Sequence, residues 1–242
     1  MKLAITYFID FFLPRFCPGC NKKLSPNEKP VCEECVSSLL ITDEEKLSSE
    51  YEKNFGSSNF VDNYYAAYIF EIDKTLQHII HALKYKKQFG LGIFLGQLLG
   101  EKIKLLGWHI DLILPIPIHR LKKVERGFNQ SDFLAKGLTK SLKIPNSPGI
   151  VKRTRHTESQ TRLNMKERAK NVADAFKVRK PEKIHGKNIL LVDDVCTTGA
   201  TILECAKMLK SSGAVKVFAC TVGTTSFENE YATFSQVRLL QE

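Results

Sequence analysis

Nowhere in the 242 residues does an uninterrupted apolar run approach the ~20 residues of a membrane-spanning helix, which excludes a helical transmembrane protein. The apolar opening MKLAITYFIDFFLP is broken by Asp10 and offers no small-residue cleavage site before Cys17. It reads poorly as a secretion signal and better as an amphipathic helix packed on the body. No internal repeat or low-complexity tract stands out. Wholesale disorder is excluded too, because 43% of the chain is hydrophobic and 26% charged. The length suits one sizeable core, or a core with a small appendage.

Acidic residues are scarce in one place. Residues 119–187 carry 19 Lys/Arg against 6 Asp/Glu, whereas 1–60 carry 7 against 9, 61–118 carry 6 against 5, and 188–242 carry 4 against 6. The middle stretch therefore accounts for more than the whole net charge of +10. A block so confined suits a polyanion, either a phosphorylated small molecule or a nucleic-acid backbone. Aromatic residues are sparse within it (only Phe128, Phe133 and Phe176), so binding to nucleic acid should be mainly electrostatic.

Four of the seven cysteines form C-x2-C-x11-C-x2-C at Cys17, Cys20, Cys32 and Cys35. Two CxxC pairs at this separation place four thiolates on a tetrahedron around zinc, and Pro18-Gly19 suits the tight turn within the first pair. A closed four-thiolate sphere folds a module and leaves no position for catalysis. Two disulfides of a secreted domain are the alternative; three further cysteines and a large core that needs no staple speak against them.

Residues 36–60 read as a connection, with domains at 1–42 (helix and zinc module), 43–60 (linker) and 61–242 (main domain). Beyond it, strands are expected at 64–70, 111–118, 188–194 and 215–222, with helices at 72–85, 91–105, 129–142 and 199–213. Pro115 and Pro117 argue against full pairing of the second strand. Strands alternating with helices predict an α/β fold around a mainly parallel sheet.

The most informative segment is ILLVDDVCTTGAT, residues 189–201. A buried strand ends in two carboxylates, and a Thr/Gly turn then opens a helix. Ligands of open parallel sheets sit beyond the carboxyl ends of strands, and a helix N-terminus with free amides binds phosphate. Asp193 and Asp194 can accept two vicinal sugar hydroxyls. Thr197, Thr198 and Thr201 can donate hydroxyls to a phosphate, and Gly199 lets the backbone approach it. The segment resembles the phosphoribosyl pyrophosphate (PRPP) motif of type I phosphoribosyltransferases at every one of its positions. That resemblance implies PRPP contacts from Asp193, Asp194, Cys196, Thr197, Thr198, Gly199, Ala200 and Thr201. Hypoxanthine–guanine enzymes of that class carry Asp where Thr197 stands, so a purine-salvage activity is disfavoured.

Two further segments gain meaning from the same resemblance. Loop 119–128, with His119, Arg120, Lys122, Lys123 and Arg126, would handle the pyrophosphate and its magnesium. The polar, basic stretch 151–176 corresponds to a flexible loop that closes over the site, with Arg153, Arg155 and Gln160 among its candidate contacts. Lys84 is another candidate.

The order CPGC…CEEC, KYKK, PIPIHRLKKVERGFNQ, RTRHTESQTRLNMKERAKN and VDDVCTTGAT is similar to that of the ComF family, a zinc module fused to a phosphoribosyltransferase domain. The resemblance implies a type I phosphoribosyltransferase fold with central parallel sheet, flanking helices and hood. It also implies structural Zn2+, Mg2+ with PRPP, a cytoplasmic location and a role in natural transformation. There the protein would handle incoming single-stranded DNA beside a helicase-like ATPase. An active transferase on an unidentified base or nucleotide, unrelated to DNA, is the rival reading; the catalytic residues and acceptor are not implied by any motif. A third reading makes the zinc module an adaptor for a partner protein.

Overall fold

β7 (Asn188–Cys196) organises the molecule, which the computed structural model describes over residues 12, 14–72, 74–155 and 174–225. Its apolar run Ile189–Val192 is buried on both faces, as expected for a strand inside a parallel sheet. The order is β3 (Asn63–Phe70), β8 (Lys216–Thr225), β7 and β4 (Leu112–Pro115), every pair parallel. β4 pairs along its length with β7 alone, and on its other side makes a single bridge, Ile113 with Asn146. It stops at Pro115 rather than running to 118, because Pro115 and Pro117 have no N–H for a second ladder.

Successive residues of β7 feed two cores. Leu190 and Val192 join Ala67, Phe218 and Cys220 beneath α3 (Thr75–Tyr85), α4 (Phe89–Lys104) and α6 (Gln130–Leu142). Ile189 and Leu191 face Ile202, Cys205 and Leu209 of α7 (Ala200–Ser211) on the opposite side. Each fully buried Leu or Ile contributes about 1.5–3 kcal/mol, so this strand alone anchors both layers. An antiparallel pair, β5 (Val151–Arg153) with β6 (Phe176–Val178), stands outside the main sheet.

One sequence expectation is corrected, and the short helical stretch expected within 36–60 is given its bounds. Loop 119–128 is largely helix α5 (Arg120–Arg126): RLKKVER lacks Gly and Pro, His119 Nδ1 accepts from Leu121 N, and left-handed Gly127 ends the turn. The stretch 43–60, read as a connection, carries helix α2 (Glu44–Asn54), capped by Asp43. Its end is buried: Glu50 accepts from Thr224 Oγ1 of β8, and Phe55 is wholly enclosed. Just before it, residues 40–42 run antiparallel to β3, with Ile69 N donating to Leu40 O at 2.8 Å.

The N-terminal module comprises β1 (Arg15–Phe16), β2 (Lys23–Leu24) and α1 (Glu33–Ser37). Cys17, Leu24, Val31, Cys32, Cys35 and Leu39 belong to the same apolar core as Leu76 and Ile79 of α3. His78, which had no evident partner in the sequence, has Nδ1 3.4 Å from Gly19 O.

Gly92, Gly96 and Gly100 fall four apart on α4 and let it lie almost backbone-to-backbone on α6. A Cβ at Gly96 would run into Leu134 O, and one at Gly137 into Ile93 O. Replacing a helical Gly by Ala normally gains up to ~1 kcal/mol, but overlap with rigid backbone costs ~1–3 kcal/mol or more. Gly96→Ala and Gly137→Ala are therefore expected to lower the urea midpoint substantially. Gly90→Ala, whose Cβ meets nothing within 4 Å, should leave it unchanged or raise it.

Candidate phosphoribosyl-phosphate site

The carboxyl end of β7 carries Asp193 and Asp194, and α7 begins four residues after the strand ends. Asp193 Oδ1 accepts from Ser131 Oγ at 2.9 Å and from the Asp194 amide at 2.9 Å. Burial, and next the neighbouring charge of Asp194, push the Asp193 carboxyl up to about 7. Asp194 Oδ1 accepts from Val195 N, and its Oδ2 lies 3.0 Å from Lys84 Nζ. Lys84 comes from the last turn of α3, more than a hundred residues upstream, so only the fold makes this ion pair.

Cations converge beside the carboxylates. Burial lowers the Lys122 ammonium, and the charges of Arg126, Arg153 and Lys84 add to that lowering. Burial likewise lowers Arg153, and Asp193 opposes it. Lys122 thus feels like charges from α3, α5 and β5, two of which also act on the acid pair, an arrangement that a multiply charged anion would relieve. Arg126 is further placed by Gln130 Oε1, at 3.3 Å, and by the ring of Tyr85, whose centroid is 5.2 Å from its guanidinium carbon.

Gly199, at φ 66°, caps α7 in a conformation that favours glycine. A Cβ there would also strike the Phe55 ring at 2.7 Å and Asn54 Cβ at 3.0 Å. So α2 underlies the Thr197–Thr201 turn, although nothing in the sequence of 43–60 signals it. Thr197, Thr198, Ala200 and Thr201 are half-buried. Cys196 is buried against Tyr64, and burial drives its thiol up to about 12, so it is held as a neutral packing group. His119 is spent on capping α5, while Arg120 and Arg155 are exposed at the start of α5 and just beyond β5. Gln160 lies outside the described residues. Sequence reasoning overlooked Ser131 as a partner of Asp193; its place in GFNQS was the available clue.

The cysteine cluster lies apart from these carboxylates. The four Sγ atoms of Cys17, Cys20, Cys32 and Cys35 lie within 4.8 Å of one another, with Cys20 and Cys32 3.7 Å apart. A tetrahedral zinc with Zn–S near ~2.3 Å spaces its sulfurs by about 3.8 Å, so the set fits the ion. All four are free thiols. Burial raises the Cys17 thiol, but the amides of Cys32, Cys20 and Gly19 outweigh it and bring it down to about 7. Burial and the surrounding thiols raise Cys35. A thiolate held by amides among thiols that resist ionising is the charge pattern a dication resolves.

A family model described as a phosphoribosyl transferase domain matches residues 120–227. Competence protein F of Haemophilus influenzae is 28% identical over 216 residues, covering 83% of this chain and 86% of that protein. The DNA utilization protein YhgH of Escherichia coli K12 is 33% identical over 147 residues, 59% of this chain and 64% of YhgH. Competence protein ComFC of Bacillus subtilis is 31% identical over 102 residues, 42% of this chain and 39% of ComFC. Among solved structures, an adenine phosphoribosyltransferase from Thermoanaerobacter pseudethanolicus is 14% identical, covers 67% of this chain and 82% of that one, and has a TM-score of 0.40.

The parallel sheet, the acid pair at the end of β7 and the matched domain define a protein of the type I phosphoribosyltransferase fold. The relatives it resembles carry the names competence protein F, ComFC and DNA utilization protein, so the similarity is to competence-related proteins that share such a domain.

About one zinc per chain is expected by elemental analysis, and none when Cys17→Ser and Cys20→Ser are combined. Because three of the ligands sit in the α3 core, chelation should also lower the melting temperature of the wild type.

Proposed function

We propose that the chain binds PRPP with magnesium at the end of β7 and handles single-stranded DNA in the cytoplasm during natural transformation. The observation that carries the PRPP reading is the Lys84–Asp194 ion pair beside Asp193, with Arg153 sensing Asp193 and with Lys122 and Arg126 in the same group of cations. The two carboxylates hold the ribose hydroxyls, and the amides and hydroxyls of 197–201 at the head of α7 hold the 5-phosphate. Lys122, Arg126 and Arg153 face the pyrophosphate. Magnesium, when bound with PRPP, offsets part of the diphosphate charge. The relatives' names, competence protein F and DNA utilization protein, support the DNA role, as does the excess of 19 Lys/Arg over 6 Asp/Glu in residues 119–187. A helicase-like ATPase partner rests on the family resemblance alone.

Asp193→Ala with Asp194→Ala should weaken PRPP binding well over tenfold in calorimetry, since each lost charge-assisted hydrogen bond costs ~1.5–3 kcal/mol. Wild-type affinity in a folded double mutant would refute the assignment. Asp193 also sets a pH dependence. Its folded pKa is raised, so its contribution to the stability of the ligand-free protein is present in acid and is lost as pH rises through about 7. PRPP needs the carboxylate, so affinity should fall as pH drops below about 7. PRPP's own phosphates titrate nearby, and Asp193→Asn separates the two effects by removing the protein's share of the slope.

Single-stranded DNA should bind with a log–log salt slope of roughly −0.7 per phosphate neutralised. Replacing Arg153 and Arg155 by Ala should flatten that slope in filter-binding titrations. Binding that is absent at low salt, or indifferent to salt, would confine the basic block to small phosphates.

A further inference from the structure

The turn between α3 and α4 meets the turn between α5 and α6, and there the fold collects aromatic rings that the sequence scatters. Phe89, at the start of α4, remains 42% exposed. Its ring stacks on Phe133 with centroids 4.7 Å apart and planes 17° from parallel. Phe128 stands edge-on to both, 4.9 Å from Phe89 and 5.6 Å from Phe133. A ring on the outer face of Phe89 would lie some 9 Å or more from Phe133, about two stacking separations. Phe128 therefore stands beside the pair, not on top of it. Lys136 Nζ sits over the Phe133 ring, 4.5 Å from its centroid. Of the three rings Phe89 is the exposed one, Phe128 being buried and Phe133 half-buried, so the cluster meets solvent at Phe89.

The surroundings of that face carry mostly one sign of charge. Lys86 and Lys87 are exposed in the α3–α4 turn, and Lys87 Cε passes 3.9 Å from where a Gly127 Cβ would stand. Lys123 is exposed on α5, beside Arg126. Of the nearby acids, Asp132 is half-buried and bonded to Asn129, leaving Glu125 as the exposed one. The patch is also continuous with the phosphoribosyl site: Lys84, which touches Asp194, precedes Tyr85, and Gln130, which holds Arg126, precedes Ser131.

We infer that the outer face of Phe89 is a stacking platform for an unpaired base of single-stranded DNA, whose flanking phosphates lie on the lysines around it. The inference rests on the DNA role proposed above and names where and how the strand is held. A ring ended by solvent suits a flat π-face, and cations on its rim suit the phosphates on either side of that base. A duplex keeps its bases stacked and cannot offer one, so the platform selects single strands. It also changes the balance expected from the sequence, in which stacking was secondary because residues 119–187 hold few aromatics. Phe89 lies outside that stretch and reaches it only through α4–α6 packing.

The test is fluorescence anisotropy at low salt with a labelled oligothymidylate of ~15 nucleotides, and with an abasic oligomer of the same phosphate number. Phe89→Ala is expected to weaken the base-bearing oligomer by between about five- and a hundred-fold, the loss typical of one stacked base. It should leave the abasic oligomer, the salt slope and PRPP binding unchanged. Phe89→Trp should retain affinity and have its emission quenched by the oligothymidylate, against the constant signal of Trp108, which is stacked on Phe218. Equal affinity of Phe89→Ala and wild type for the base-bearing oligomer would overturn the platform and assign the face to another occupant, such as a partner protein. So would a Phe89→Trp emission that does not respond to bound DNA. In either case salt-dependent wild-type binding would leave the broader DNA role standing. Failure of the wild type to bind either oligomer at low salt would overturn both.

Discussion

Two carboxylates lie side by side where the central strand ends, largely out of water, and the architecture around them is arranged to make that tolerable. Burying a second negative charge beside a first is opposed by desolvation and by repulsion, and Asp193 shows both in its raised pKa. The compensation comes from four elements. α3 supplies Lys84, α6 supplies the Ser131 hydroxyl, and α5 and β5 bring three more cations within range. The cations in turn overcrowd one another. The site is therefore a set of charges balanced imperfectly, as the raised carboxyl of Asp193 and the lowered ammonium of Lys122 both express.

The same logic explains why segments outside the sheet matter to the site. α2 buries Phe55 under Gly199, so the phosphate turn rests on a helix that belongs to the approach from the N-terminal module. α3 is clamped at its beginning by the cysteine module, through Gly19, Thr75 and His78, and ends in Lys84 at the acids. A metal that closes the four thiolates would stabilise the first turn of the helix whose last turn carries a site residue. The cysteine module and the carboxylate pair are thus joined by one helix of eleven residues.

Much was legible from local pattern. ILLVDDVCTTGAT could be read as strand, acid pair and phosphate turn because each part is encoded within a few consecutive residues. The four cysteines were legible because CxxC spacing encodes ligand geometry almost by itself. The alternation of strands and helices was placed to within a few residues, although the strand expected over 111–118 ends at Pro115. The misreadings share one cause. α2 looks like a connection because its buried face is short and partly polar, with Glu50 accepting from Asn54 Nδ2 on the same helix and from Thr224 Oγ1 of distant β8. α5 looks like a loop because its charges dominate its composition, although its residues are good helix formers.

What the sequence determined alone was therefore what is written contiguously: the spacing that gathers four cysteines, the strand–acid-pair–turn–helix segment, the parallel α/β class and the confinement of positive charge. What the tertiary structure decided was every relation between groups far apart in the chain. Lys84 on Asp194, Ser131 on Asp193, Phe55 under Gly199 and Phe89 on Phe133 each require two helices, or a helix and a strand, to pack in one register. Such contacts leave no periodic or motif signal, because the interaction energy resides in a distance that only the folded core fixes.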